Sequence, residues 1–387
     1  DAGRPEGPGA GGGAQVPAGT GERWGPVSGT DPSKVDAVVL VGGKGSRLRP
    51  LTLSAPKPML PTAGLPFLTH LLSRIAAAGV EHVILSTSYQ AATFEAEFGD
   101  GSKLGLQIEY VTETDPLGTG GGIANVAPRL RNDTVMVFNG DVLSGADLTQ
   151  MLAAHHDTGA ELTLHLVRVS DPRAFGCVPT DDTGRVLAFL EKTEDPPTDQ
   201  INAGTYIFNR SIIDRIPRGR AVSVEREVFP ALLSDGVKVC GFVDSSYWRD
   251  MGTPEDFVRG SSDLVRGLAP SPALGGQRGE SLVHDGASVA PGAVLIGGTV
   301  VGRGAEIGPG VRLDGAVIFD GARIDAGSVV ERSIIGFGAH IGPRALIRDG
   351  VIGDGANIGA RCELLRGARV WPGVAIPDCG IRYSSDI

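Results

Sequence analysis

From residue 299 the chain repeats itself every 17 residues. Four segments align without a gap: "TVVGRGAEIGPGVRLDG", "AVIFDGARIDAGSVVER", "SIIGFGAHIGPRALIRD" and "GVIGDGANIGARCELLR". Within each, an aliphatic recurs at a step of six, as in Val301, Ile307 and Leu313 or in Ile335, Ile341 and Ile347, and a step of five starts the next turn. Gly304, Gly321, Gly338 and Gly355 fall where such a chain must bend. One coil of this kind cannot bury its apolar face alone and has to stack on the next. The period therefore predicts a left-handed parallel β-helix of hexapeptide repeats over residues 283–378, with a linker at 269–282 and a short tail at 379–387. A generic β-sandwich would not keep a fixed period.

Upstream the rhythm differs. Apolar runs of strand length ("AVVLV", "HVILS", "QIEYV", "TVMVF") alternate with amphipathic stretches of helix length ("FLTHLLSRIAAAG", "GIANVAPRL", "DLTQMLAAHH"). That alternation predicts an α/β domain over residues 34–268 with a largely parallel sheet and helices on both faces. Residues 1–33, mostly Gly, Pro, Ala and polar types, bury too little to offset their ordering entropy and are expected to be disordered.

In open α/β sheets, ligands bind beyond the carboxyl ends of the strands. The first such end reads "VVLVGGKGSRLRPLT". Gly42, Gly43 and Gly45 let the backbone approach an anion, and Arg47 follows with a planar fork suited to phosphate oxygens. Lys44 is followed by Gly45 instead of Ser or Thr, and Leu48 stands where a dinucleotide fingerprint needs glycine. Neither common nucleotide motif fits. Lys57, between Pro56 and Pro58, is expected on a stiff, extended segment as a second phosphate-directed cation. "VFNGD" places Asn139 and Asp141 at another strand end, and "WRDMGTP" places Asp250 before a helix start. Two carboxylates beside phosphate-binding groups suit a magnesium ion, although each alone could equally cap a turn. "FLEK" adds Glu191 and Lys192, a possible surface ion pair, and "INAG" adds Asn202 and Gly204 before a further strand. "DPLGTGGGI", with Leu117, Gly118, Thr119 and Gly121, is expected to be a flexible loop whose backbone could read a base edge. His155, His156 and His340 lack metal-ligand spacing and are expected at surface or coil positions.

The excess of acidic over basic residues, 45 to 35, argues against nucleic acid as a partner. Four scattered cysteines without a CxxC pair read as reduced thiols. No apolar run reaches membrane-spanning length. A cytoplasmic location is the expectation.

Taken in order, Gly-Gly-x-Gly-x-Arg-Leu-x-Pro-Leu-Thr, Pro-Lys-Pro-Met, "PLGTGGG", "NGD", "EK", "INAG", "SVEREVFP" and "WRDMGTP" resemble the sugar-1-phosphate nucleotidyltransferases, over roughly Val35 to Leu268. The resemblance implies a Rossmann-like catalytic domain in which a sugar-1-phosphate attacks the α-phosphorus of a nucleoside triphosphate in line and pyrophosphate leaves. It implies that Leu40, Gly42, Gly43 and the "PLGTGGG" loop border the nucleoside and that Arg47 and Lys57 act on the triphosphate. Asp141 and Asp250 would bind Mg2+, and Lys192 would hold the sugar phosphate. Gly176, Glu191 and Asn202 would line the sugar pocket, with Glu225 of "SVEREVF" nearby. The loop favours the branch that uses GTP and mannose-1-phosphate, with dTTP or UTP and glucose-1-phosphate as the alternative. A non-catalytic sugar-nucleotide regulator and a bifunctional acyltransferase using His340 are further alternatives. The stacked coils are expected to support a homo-oligomer without contributing to the active site.

Overall fold

The computed structural model describes residues 31–88, 90–276 and 279–381. Residues 1–30, most of the segment expected to be disordered, lie outside the described residues. Residues 31–33 do not share that character, since Asp31 caps a short 3-10 turn at Pro32–Lys34.

The strand Val35–Leu40 lies at the centre of a nine-stranded sheet. It runs parallel to His82–Thr87 on one side and Thr134–Asn139 on the other, and Gln107–Thr112 extends the parallel half. Alternate residues feed two cores: Val38, Ile84 and Val137 pack under the helix Gly118–Val126, while Val39, Leu85 and Phe138 pack with Phe67–Ala77. Asp36 is wholly buried in this strand, where it accepts from His82 Nδ1 at 2.8 Å and from the backbone amides of Arg131 and Asn132 at 2.6 and 2.8 Å. Those donors make a buried carboxylate tolerable.

The sheet is mixed, not largely parallel. Beyond Thr134–Asn139 the strand Gln200–Asn209 runs antiparallel, and Leu162–Arg168 pairs antiparallel with it in turn. Asn202 and Gly204, expected before a strand, lie inside this one, at an irregularity in register between Asn202 and Tyr206.

The hexad period is realised as three parallel sheets of six, six and five short strands, a left-handed parallel β-helix. Its first strand is Ser281–Val283 and its last Ala375–Ile376. Ile307, Ile324, Ile341 and Ile358 stack in register, as do Leu313, Val330, Ile347 and Leu364, and all are buried. Gly304, Gly321, Gly338 and Gly355 have φ of 65°, 69°, 60° and 64°, the left-handed corners expected of them.

One of the three faces is apolar on its outer side as well. Val301, Ile318, Ile335 and Ile352 point into the β-helix core, while their neighbours Val300, Val317, Ile334 and Val351 join a cluster with Leu48, Leu51, Leu60, Phe67, Met251 and Phe257 of the α/β domain. Strand alternation makes this possible, because adjacent aliphatics face opposite sides. Ser54 Oγ donates to Asp354 Oδ2 at 2.6 Å across the same boundary. The two parts thus share a core.

His155 corrects one expectation, whereas His340 keeps to it with a side chain 40% exposed on a coil. His155 is 1% exposed, its ring held between Thr163 Oγ1 at 2.8 Å and Asn209 Oδ1 at 3.0 Å. Burial pushes its pKa down to about 4, so it is a neutral core imidazole. His340 lies in a β-helix strand, with Nε2 2.8 Å from Asp325 and Nδ1 3.0 Å from Asn357.

The shared core predicts linked unfolding. Phe319 is 1% exposed and packs on Phe337 with ring centroids 4.8 Å apart. Phe319→Ala should cost about 3–5 kcal/mol. In thermal melts followed by circular dichroism and by residual activity, both signals should fall together at a lower temperature. Loss of the β-helix signal with the α/β domain left intact would show that the parts unfold separately.

Candidate active site

The glycine loop between Leu40 and the 3-10 turn Ser46–Leu48 is drawn tight at one point. Gly45 has φ 57°, and a Cβ there would stand 2.9 Å from Thr52 Cγ2 and 3.1 Å from Lys57 Cβ. Thr52 Oγ1 donates to its carbonyl at 2.8 Å. Gly45 therefore lets the loop close onto the segment carrying Lys57. Gly43, by contrast, faces open space.

Lys57 does not sit on extended chain. It begins a 3-10 turn, Lys57–Met59, with Pro58 at an early turn position where its missing N–H is harmless. Its stiffness comes from that turn and from burial, the side chain being 9% exposed.

The decisive juxtaposition is made by two short strands. Val142–Ser144 pairs antiparallel with Trp248–Asp250, setting Asp250 opposite Val142, and Met251 N–H donates to the Asp141 carbonyl at 3.0 Å. Carboxylates more than a hundred residues apart in sequence thereby meet. Lys57 Nζ stands 2.9 Å from Asp141 Oδ2 and 3.7 Å from Asp250 Oδ1. Arg47 Nη2 lies 3.7 Å from Asp250 Oδ2, and the Arg47 side chain packs over Gly252. Burial, and next the neighbouring Asp141 carboxylate, raises the pKa of Asp250 above the ordinary aspartate value.

These groups open onto a cleft of about 490 Å³. Of the residues singled out in the sequence, Leu40, Gly42, Gly43, Gly45, Arg47, Lys57, Gly118, Thr119, Asn139 and Asp141 line it. The "PLGTGGG" stretch is not a flexible loop. From Gly118 it is the first turn of the helix Gly118–Val126, and Gly120 N–H donates to Val222 O at 2.8 Å. Its glycines serve close packing, since a Cβ on Gly118 or Gly121 would meet the carbonyl of Val222 or Arg220 at 2.7 or 2.8 Å. Gly121 is buried and, like Leu117, does not line the cleft.

Gly176, Glu191, Lys192, Asn202 and Gly204 form a second group at the antiparallel end of the sheet. Asn139 links the two groups, because Gly204 comes so close that a Cβ would stand 2.9 Å from Asn139 Nδ2. Glu191 pairs with Gly176, whose lack of a side chain leaves room for Glu191 Oε2. Asn202 is oriented by Tyr206 Oη at 2.8 Å and Gly204 N–H at 3.1 Å. Lys192 is exposed and makes no ion pair among the described residues, so the surface pair with Glu191 does not form. Glu225 stands between the groups, accepting from Thr119 Oγ1 at 2.9 Å and Ser223 Oγ at 2.8 Å.

Sequence reasoning passed over Glu113, which lines the cleft beside Ser86 and Pro116. Its Oε2 accepts from Leu117 N–H at 3.0 Å. The available signal was a carboxylate at the end of the "QIEYV" strand, just before the "PLGTGGG" turn.

The nucleotidyl transferase family profile matches residues 36–267, and the profile described as the GMPPB C-terminal domain matches residues 277–382. The chain belongs to the nucleotidyl transferase family. It is 82% identical over 355 residues to a mannose-1-phosphate guanylyltransferase of Mycobacterium tuberculosis, an alignment covering 92% of this chain and 99% of the relative. It is 35% identical over 280 residues to the mannose-1-phosphate guanylyltransferase catalytic subunit beta of Drosophila pseudoobscura pseudoobscura, covering 72% and 71% of the two chains. A crystal structure of HddC from Yersinia pseudotuberculosis complexed with GMP-PN is similar over 59% of this chain and 99% of its own, with 30% identity and a TM-score of 0.53.

Nucleotidyltransferases of this family generally use a divalent metal. The residues present fit one: Asp141 and Asp250 offer hard oxygen donors, and Asp250 Oδ1 is buried without a hydrogen-bond partner among the described residues. No helix among the described residues is long and apolar enough to cross a membrane.

Gly252 supplies a test of Arg47's placement. An alanine Cβ there would stand 2.4 Å from Arg47 Nη2, and this 64% exposed side chain can swing away without moving backbone. Gly252→Ala should lower turnover about tenfold or more while leaving the thermal midpoint unchanged. Unaltered steady-state kinetics would remove Arg47 from the chemistry.

Proposed function

We propose that this chain transfers a guanylyl group from GTP to mannose-1-phosphate, giving GDP-mannose and pyrophosphate. The observation that carries the reading is the cluster of Lys57, Arg47, Asp141 and Asp250 beside an anion-binding glycine loop. Relatives with that activity, one 82% identical, support the choice of substrates. Glu113 supports the base, because its carboxylate can accept from the adjacent N1–H and N2–H₂ donors that guanine presents and adenine lacks.

In this mechanism Arg47 and Lys57 hold and neutralise the β- and γ-phosphates. Lys192 holds the phosphate of the sugar, while Glu191 and Asn202 orient its hydroxyls. The sugar phosphate oxygen attacks the α-phosphorus in line, one phosphoanhydride bond forms as another breaks, and pyrophosphate departs with the electron pair. No protein nucleophile takes part; catalysis is positioning and charge stabilisation. Mg2+ on Asp141 and Asp250 would supply further neutralisation of phosphate charge.

A cytoplasmic location agrees with cysteines that form no disulfide among the described residues and with a biosynthetic reaction. We assign the chain to a homo-oligomer built on β-helix surfaces not covered by the catalytic domain. Light scattering on the full chain checks this, and a monomer mass would refute it.

Pyrophosphate release should be measured for GTP, dTTP, UTP and ATP against mannose-, glucose- and N-acetylglucosamine-1-phosphate. Efficiency should peak for GTP with mannose-1-phosphate; a peak at dTTP or UTP with glucose-1-phosphate would overturn the substrate assignment but not the reaction class. Asp141→Asn and Asp250→Asn should each lower turnover by roughly two orders of magnitude in saturating magnesium. Near wild-type rates would exclude either residue from the metal site. Arg47→Ala should chiefly lower kcat, and Lys192→Ala should chiefly raise KM for the sugar phosphate. Interchanged signatures would reverse their roles.

A further inference from the structure

Asp250 is carried by a strand too short to hold its own place. Trp248–Asp250 and Val142–Ser144 form a separate two-stranded sheet, three residues on each side, and a ladder of that size is marginal without support. Successive side chains point to opposite faces. Trp248 and Asp250 share the face toward the site, where Trp248 Nε1 donates to the carbonyl of Ala203 at 3.0 Å, between Asn202 and Gly204. Arg249 faces the other way, onto the helix Pro254–Arg266.

There its guanidinium spans two turns of one helix face. Nη1 donates to Asp256 Oδ1 at 2.9 Å, Nη2 lies 3.7 Å from Asp263 Oδ2, and Nε donates to Tyr247 Oη at 3.0 Å. Both carboxylates are oriented by other partners as well. Asp256 closes a capping box, its Oδ2 accepting from Thr253 Oγ1 at 2.7 Å while its N–H donates to that hydroxyl at 3.1 Å. Asp263 accepts from Tyr247 Oη at 2.7 Å. Met251 lies over the same helix, since a Cβ on Gly260 would stand 2.4 Å from Met251 Sδ and 3.5 Å from Arg249 Cδ. Asp250 is thus flanked by two residues anchored on one helix. The apolar anchor is non-directional, whereas a planar fork between carboxylates fixes distance and angle.

We propose that Arg249 is a positioning residue for the reaction: its fork holds Asp250 where a divalent cation can share it with Asp141. This rests on the reading of that pair as the metal site. The two carboxylates repel and Lys57 offsets only part of the repulsion, so a strand released from the helix would let Asp250 move outward. A metal site tolerates only ~0.5 Å of such movement. By charge alone, removing a nearby cation would strengthen metal binding; loss of position weakens it, so the sign of the effect separates the two.

The test titrates Mn2+, a paramagnetic stand-in for Mg2+, into the full chain without nucleotide and follows water-proton relaxation, so neither turnover nor phosphate enters the readout. Asp250→Asn comes first and should lose most of the binding. No Asp250-dependent binding would sink the metal reading itself, and this proposal with it. Given that dependence, Arg249→Met, which keeps an unbranched stem, should bind Mn2+ about tenfold more weakly. Arg249→Lys keeps the charge but not the fork; it should recover part of the loss, and it carries the test if Arg249→Met does not fold. In steady state the Mg2+ concentration for half-maximal turnover should rise by the same factors. Val265→Ala, a cavity in the same helix at a residue that makes none of these hydrogen bonds, should lower the thermal midpoint while leaving Mn2+ affinity as in wild type. Wild-type or tighter Mn2+ binding by the Arg249 variants, or an equal loss in Val265→Ala, would overturn the proposal.

Discussion

The site depends on one small ladder, the antiparallel pairing of Val142–Ser144 with Trp248–Asp250. With the Met251 N–H bond to the Asp141 carbonyl it sets Asp250 beside Asp141, and its cost is the approach of two carboxylates in a partly buried place. Lys57 offsets that repulsion directly, which is why a lysine side chain 9% exposed is tolerated there. The balance is incomplete, since Asp250 keeps a raised pKa and an oxygen without a hydrogen bond among the described residues. Two hard oxygen donors with this shortfall of positive charge fit a divalent cation.

The β-helix is a buttress as well as an appendage. Its apolar outer face packs against Leu48 and Leu51, which flank the turn of Arg47, and against Phe257 of the helix that follows Asp250. Arg369 adds a hydrogen bond to Arg49. The turn that carries Arg47 and the helix that follows Asp250 thus rest on the same surface. As expected from the sequence, none of the residues lining the cleft comes from the coils.

Much of this was legible, and particular residues show why the rest was not. The hexad core positions were readable because each inward residue is repeated at a fixed step. The docking face was less legible: "TVV", "AVI", "SII" and "GVI" carry two adjacent aliphatics, but so do "SVV", "ALI" and "ELL" on another face. His155 was misplaced because a helix histidine near the surface end of an amphipathic run looks solvated, and only Asn209 and Thr163 from the sheet show that it is buried and satisfied. The glycines of "PLGTGGG" suggested flexibility, but what they answer to is the backbone of Arg220 and Val222, a hundred residues away.

By itself the sequence determined the repeat architecture, the α/β class, and the residue types suited to phosphate, because these follow from local period and from the chemistry of single side chains. The tertiary structure alone decided that the sheet turns antiparallel after Thr134–Asn139, that Asp141 and Asp250 face one lysine, and that Glu113 and Thr119 share a wall of the cleft. Strand pairing between distant segments and close approach of backbones are properties of neighbours in space. They leave no periodic mark along the chain.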